Sequence, residues 1–404
     1  MLQKYLTYKI LFLLIITPVY LIGNNIDFTK NINTTKISIL TCDPGNEIYS
    51  LFGHSALRIK DTKNQIDIVV NWGLFEFSEN QFEFGYDFAK GRLNYFMGLQ
   101  SMSNFINEYA RSNRGVREQV LNLDEQEKLN LLSIISENYK PENRNYRYEF
   151  FYDNCSSRIR DLLIEVFKEK INFHKSPLAD KNTFRETIHQ YLKYDPWLEL
   201  GIDLVLGKKI DILVSNNNLM FLPEKVESIL DKSQVENESV KKNIILTKST
   251  IVNSNNQERT SENIIKYSWG IFFITLILLY LKQSHLIRIW SIMNLSVLGI
   301  IGILLIFMWW GTDHQATKMN FNLLWANPLH FILIVNILKK KSGVFYYWFL
   351  VFSLIIIFST VLFWFALIQD FNPFVKPLIL QLGLIYYYYF KKNKNQINLH
   401  KTSG

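Results

Sequence analysis

From about Tyr267 to Phe390 the chain is a string of apolar runs separated by short polar loops, which confines that part of the molecule to membrane-spanning helices. Five spans are readable: Trp269 to Leu281, Ile287 to Trp310, Leu323 to Leu338, Val344 to Ile368, and Pro377 to Phe390. The first and last are short unless their flanking aromatics are included, and Tyr386 to Phe390 reads as an interfacial belt. At the N-terminus, Lys4 and Lys9 precede an apolar stretch from Ile10 to Gly23. By length this is a signal peptide or an uncleaved signal anchor (residues 1–24), and either would export the residues after Gly23.

Charge orients the spans. The formal net charge is +8, and much of the excess lies in clusters beside apolar runs, such as Lys339-Lys340-Lys341 and Lys391-Lys392-Asn393-Lys394. Clusters so placed are topology signals and give little reason to expect nucleic acid. With the exported residues outside, the loop Lys282 to Arg288, the Lys339 to Lys341 loop and the Lys-rich tail all fall inside. The same count puts Gly311 to Asn322 and Gln369 to Lys376 outside. The first of these loops carries Asp313, His314 and Lys318, either as a plain polar turn or as a loop that meets a substrate headgroup. It lacks metal-ligand spacing.

The polar two thirds of the chain read as a globular domain over residues 30–235, followed by a linker at 236–266, the membrane domain at 267–392 and a cytoplasmic tail at 393–404. Ile37 to Leu40, Ala56 to Lys60 and Ile66 to Val70 are short strand-like runs separated by turn signals. Ser55 to Lys60 and Ile66 to Asn71 form a hairpin that brings position 54 opposite 71 or 72, so Asn71 reaches His54. Leu123 to Tyr139 is a packing helix with Leu129 and Leu132 on its apolar stripe.

Only two cysteines occur, Cys42 and Cys155, too few for a disulfide scaffold. They could bridge, or Cys155 could be a nucleophile. After Cys155, the residues Ile159, Leu162, Leu163, Val166 and Phe167 recur at helical spacing, and Asp153 or Asn154 can cap that helix. Cys155 then sits in the first turn, where free backbone amides and the helix dipole favour a thiolate and can hold an oxyanion. His54, after Gly53 at a strand start, is the candidate base, and Asn71 would fix its tautomer. No Gly-x-Ser-x-Gly elbow, zinc-binding His-Glu-x-x-His or phosphate-binding Gly loop competes.

Several blocks resemble one family. Thr41-Cys42-Asp43-Pro44-Gly45 through Arg58, Asn71-Trp72-Gly73, Asn154-Cys155-Ser156-Ser157-Arg158 and Pro196-Trp197-Leu198-Glu199-Leu200 look like the Lnb-type N-terminal periplasmic domain. Thr312-Asp313-His314 and Asn322 to Leu329 resemble its membrane part. The resemblance implies an α+β, circularly permuted papain-like domain related to the NlpC hydrolases, followed by an all-α transmembrane bundle. It further implies His54 before Cys155 in the chain, Asn71 as third polar residue, and N-acylation of lipoproteins at the bacterial inner membrane. The expected partners are a phospholipid acyl donor and a diacylated lipoprotein acceptor, with no cofactor or metal. Two rivals remain open: a thiol hydrolase (phospholipase or cell-wall amidase) on the same residues, and a non-enzymatic scaffold or transporter. The near absence of charge within the spans disfavours a transporter.

Overall fold

The computed structural model describes residues 32–75, 80–237, 240–254, 260–340 and 343–402, so the signal segment expected over residues 1–24 lies outside the described residues. In chain order the strands are β1 (Thr35–Cys42), β2 (His54–Asp61), β3 (Ile66–Phe75), β4 (Asn94–Ser101), β5 (Val116–Leu121), β6 (Asn145–Arg147), β7 (Ile171–Asn172), β8 (Gln234–Asn237), β9 (Val240–Asn243) and β10 (Ile245–Val252). The helices are α1 (Gln81–Lys90), α2 (Met102–Arg111), α3 (Glu125–Tyr139), α4 (Cys155–Phe167), α5 (Phe184–Leu192), α6 (Pro196–Val205), α7 (Asn216–Leu219), α8 (Pro223–Leu230), α9 (Ile265–Tyr280), α10 (Ser284–Trp310), α11 (His330–Lys339), α12 (Val344–Leu362) and α13 (Val375–Thr402). They fall into two compact units: residues up to Asn182 with Leu213–Glu258, and Thr183–Ile212 with Arg259–Gly404.

The first unit is built on a seven-stranded sheet in the order β10-β5-β1-β2-β3-β4-β6, with every pairing antiparallel. β1 lies inside the sheet, and seven of its eight residues are buried, which explains its apolar run from Ile37 to Leu40. α4 packs across β2 and β3, with α3 beside it. α3 buries Leu131, Leu132 and Ile135. Two glycines shape the edge nearest α4. Gly53 has φ +80°, and a side chain there would run into the Cys42 carbonyl oxygen. Gly73 (φ +84°) sits in the bulge where β3 slips against β4.

Residues 236–266 differ from the linker expected there. They carry β9 and β10, and β10 pairs with β5 as an edge strand of the main sheet. Its Thr-, Ile- and Val-rich sequence suits a pleated edge, and Lys248, ion-paired to Asp231 at 2.7 Å, places a charge on it.

The second unit contains the apolar helices. α10 and α12 are long and apolar enough to cross a membrane. α9 has 16 residues and α11 ten, so α11 rises roughly 15 Å, about half of a hydrocarbon core. The span expected as one helix from Leu323 to Leu338 is broken. A 3-10 turn covers Phe321–Leu324, and α11 begins only at His330. Pro328 disfavours helix at Asn327 and lacks an amide of its own. The irregular stretch is held by Asn322, which donates to the carbonyls of Asp203 and Leu204 and accepts from the Trp325 indole. α12 stops at Leu362, short of the expected Ile368. The tail expected to follow Lys392 is instead the continuation of α13, which runs to Thr402.

Residues 183–212 are the larger departure from the expected division. They cluster with the apolar helices, whereas the N-terminal domain was expected to run unbroken to 235. A buried polar network fixes them there. Arg185 is 1% exposed and bonds Asp203 (2.8 Å) and Asp211 (2.7 Å), while Asn372 donates to the second Asp203 oxygen at 2.9 Å.

Candidate active site

Asn154 starts α4 and uses its whole hydrogen-bonding capacity. Its side-chain oxygen accepts from the amides of Ser156 (2.8 Å) and Ser157 (2.9 Å), and its NH2 donates to the carbonyls of Phe150 (2.7 Å) and Phe221 (2.8 Å). Ser157 returns the bond to the Asn154 amide at 2.8 Å, completing a capping box. Of the two caps the sequence allowed, Asn154 is the one used. Asp153 instead forms a bidentate ion pair with Arg158, whose guanidinium lies over the Tyr146 ring at 3.7 Å. Cys155 therefore occupies the first helical position, 8% exposed. The amides of Ser156 and Ser157, expected to be available to an oxyanion, are taken by Asn154. That leaves the amide of Cys155 itself, which has no intrahelical partner at that position.

His54 opens β2 and faces this helix end. Its Nε2 is 3.1 Å from Asn71 Oδ1. An amide oxygen only accepts, so Nε2 carries the proton and Nδ1 is the nitrogen left for the thiol. Asn71 stands opposite Ala56, not His54, so the contact is a diagonal one. A two-residue offset keeps both side chains on one face of the sheet, where a one-residue slip would have parted them. Two supports were missed in the sequence. Gln100 on β4 accepts from the Asn71 NH2 at 3.4 Å and donates to Glu108 at 3.2 Å, which holds the amide oxygen towards His54. Its partner Asn71 lies 29 positions earlier in the chain, so no local pattern marked it.

The second missed support joins the reactive pair. Ser55 and Ser156, the residues next to His54 and Cys155, are both fully buried, and their hydroxyls are 2.9 Å apart. Ser156 Oγ also lies 3.8 Å from Cys155 Sγ. This contact spans 101 positions of sequence and left no local signal.

Burial pushes the Cys155 thiol up, but the facing His54 charge and hydrogen bond, the Ser55 amide and the Ser156 hydroxyl together hold it below its ordinary value. Burial pulls His54 down, yet the Cys155 charge and the bonds to Cys155 and Asn71 leave it above the ordinary imidazole value. Both directions favour a thiolate–imidazolium pair. The phenols of Tyr146 and Tyr148 are pushed up by burial and by the Cys155 charge, so they stay neutral beside the thiolate. Cys42 differs in kind. It is a free core thiol at the end of β1, pushed well up by burial, and Cys155 is likewise free, so no bridge joins them.

Asp313, His314 and Lys318 belong to the second unit, and Cys155, His54 and Asn71 to the first. Their loop is ordered. Thr312 and Thr317 both donate to the Met308 carbonyl at 2.7 Å, and Gly207 donates to the Ala316 carbonyl at 2.8 Å. In the same unit His189, Glu199 and Asp203 bring ligand-type atoms within 4.8 Å of one another. A cation there would compete with Arg185, and the Asp203 oxygens already accept from Arg185, His189 and Asn372. The cluster reads as an ion network that fastens α5 to α6.

A sheet domain presenting a cysteine–histidine pair, joined in one chain to helices long enough to cross a membrane, defines a membrane-anchored thiol protein. The family models agree in both parts: the Lnb N-terminal periplasmic domain matches residues 25–190, and the Lnb transmembrane domain matches residues 264–396. The chain belongs to the Lnb-type family, and is thus an inner-membrane, lipoprotein-processing enzyme with its N-terminal domain on the periplasmic side. Comparison with curated proteins and with solved structures finds no match.

Proposed function

We propose that this enzyme is a lipoprotein N-acyltransferase working through a Cys155 thioester. The observation that carries the reading is the pairing of Cys155 with His54 at a helix N-terminus, with Asn71 fixing the imidazole. The Cys155 thiolate attacks the acyl carbonyl of a phospholipid, and the negative charge on the tetrahedral oxygen faces the Cys155 amide. The C–O ester bond breaks, imidazolium His54 gives its Nδ1 proton to the leaving alkoxide, and a lysophospholipid departs. The α-amine of a diacylglyceryl-cysteine lipoprotein then attacks the thioester carbonyl. Neutral His54 accepts the amine proton as the C–S bond breaks, which restores the ion pair and leaves an N-acyl lipoprotein.

In this reading the sheet domain is a permuted papain-like fold, supported by the order His54 before Cys155 and by a helix N-terminus packed on an antiparallel sheet. The helical unit is a five-span bundle that holds both lipid substrates at the same surface, where tethering raises their effective concentration. Asp313, His314 and Lys318 are the proposed headgroup contacts on the outer loop.

Mass spectrometry of lipoprotein N-termini tests the proposal in a host depleted of its own N-acyltransferase. The wild-type gene restores N-acylation, and Cys155→Ala and His54→Ala do not. N-acylation by Cys155→Ala would overturn it. A phospholipase on the same pair would release lysophospholipid without producing acylated lipoprotein.

A further inference from the structure

Helix α6 carries a face that nothing in its own sequence makes polar. Trp197, Leu198, Gly201, Ile202 and Val205 recur along one side of it, with Trp197 52% exposed and Gly201 open. Leu200 and Leu204, which border this face beside Trp197, pack into the core of the apolar helices, and Glu199 and Asp203 lie on the side opposite it. The helix's two charges, Glu199 and Asp203, lie one turn apart and are drawn into the cluster with His189. A surface helix normally turns its charges outward and its apolar stripe inward. Here the charges are spent on fastening, and the outward face is apolar.

The surroundings say what covers that face. Trp197 stacks on Tyr267, the third residue of α9, at 5.8 Å, and meets Phe374 edge-on at 5.7 Å, one residue before α13. At the same helix ends Lys266 lies over Tyr267, Lys193 over Tyr194, and Lys376 over Trp364 and Phe365. Aromatic rings with lysines reaching past them mark the headgroup level of a membrane helix. With ten residues, α6 is about 15 Å long and cannot span. An apolar face at headgroup level on a helix too short to cross suits one that lies in the interface plane.

We infer that α6 is an interfacial helix, seated with Trp197 and Gly201 at the boundary between headgroups and acyl chains, and that its partner is the lipid bilayer itself. It goes beyond the acyl-transfer reading and does not depend on it. The Arg185–Asp203–His189 network is then the anchor that holds this lipid-facing plate against the spanning helices.

Nitroxide labels placed one at a time at Trp197→Cys, Gly201→Cys and, as an exposed reference on α5, Gln190→Cys test it. The full-length chain carries Cys155→Ser and is reconstituted in phosphatidylethanolamine–phosphatidylglycerol vesicles. A side chain at 201 meets nothing within 4 Å, so that variant keeps the test open if the loss of Trp197 perturbs the helix. Collisions with oxygen should exceed those with a water-soluble nickel chelate at 197 and 201, and the order should reverse at 190. Chelate access at 197 and 201 equal to that at 190 would mean a water-facing surface and overturn the inference. Protection from both reagents would mean a protein partner covers the face, and would overturn it equally. The measurement involves no turnover, so its outcome is separate from that of the acylation assay.

Discussion

The contact between Ser55 and Ser156 should behave as a clasp for the reactive pair, and its strength can be worked out. Both hydroxyls are fully buried and 2.9 Å apart. Ser55→Ala leaves the Ser156 hydroxyl with only the Cys155 sulfur at 3.8 Å. Orphaning a buried hydroxyl costs about 1–3 kcal/mol, whereas removing both partners together is close to neutral. The double variant should therefore be less destabilised than the sum of the singles, with a coupling of about 0.5–3 kcal/mol. Cys42 supplies the readout, because it is fully buried and its thiol is pushed well up in pKa. Its alkylation under mild denaturant, followed by mass spectrometry, reports opening of the sheet domain. Activity should fall further than stability, since about 1 Å of drift between reacting groups costs on the order of 10²-fold. Alkylation of Cys155 under native conditions reads the same loss without any lipid substrate. Additive stabilities together with unchanged Cys155 alkylation in both single variants would refute the clasp.

Three further outcomes are expected. Cys155 alkylation should begin at a pH below that of an ordinary thiol, whereas lysophospholipid formation, which uses imidazolium His54 as its proton donor, should decline as His54 loses its proton above the ordinary imidazole value; Asn71→Ala removes a bond that raises His54, so that decline should move to lower pH. Gly53→Ala forces a side chain into a φ of +80° against the Cys42 carbonyl and should cost about 1–3 kcal/mol in the Cys42 opening assay. Asn154→Ala removes a helix cap worth about 1 kcal/mol and strands the carbonyls of Phe150 and Phe221, so it should exceed an ordinary cap deletion in the same assay and slow Cys155 alkylation as well.

The thiol's position was legible because its determinants are local: Asn154 caps, and the apolar stripe after Cys155 fixes which way the helix faces. The hairpin was legible in face but not in register. Asp61 stays within β2 while its carboxylate accepts from the Lys63 amide at 2.9 Å, so the turn begins one residue later than its composition suggests. Gln100, Ser55 and Ser156 were out of reach because each acts through a partner 29 or 101 residues away. The linker reading of 236–266 failed for a related reason, since β10 is a strand only because β5 offers it an edge. Hydropathy found the apolar helices but not the break at Pro328, which a window average smooths over. It also gave no hint that residues 183–212 leave the first unit, because what draws them away is Arg185 and Asp203 buried together.

In the proposed reaction, Cys155 and His54 serve the thioester alike whether an amine or water attacks it, since both routes use the same two steps. Water is the more abundant nucleophile, so transfer demands that it be kept from the carbonyl until the amine arrives. Three features of the first unit bear on this. The thiol is only 8% exposed, Ser156 and Ser157 have their amides closed off by Asn154, and the rings of Tyr95 and Tyr148 stack at 4.5 Å near the bulge at Gly73. A hydrolase gains nothing from excluding its own substrate, whereas an acyltransferase does. Removing the Tyr148 ring, whose phenol is pushed up by burial and by the Cys155 charge, should therefore shift the proposed partition before it slows the first step. Tyr148→Ala should raise free fatty acid released per acylated lipoprotein while lysophospholipid formation persists, measured together by mass spectrometry. An unchanged ratio with both products falling in parallel would place Tyr148 in positioning the thiol and leave water exclusion to some other part of the enzyme.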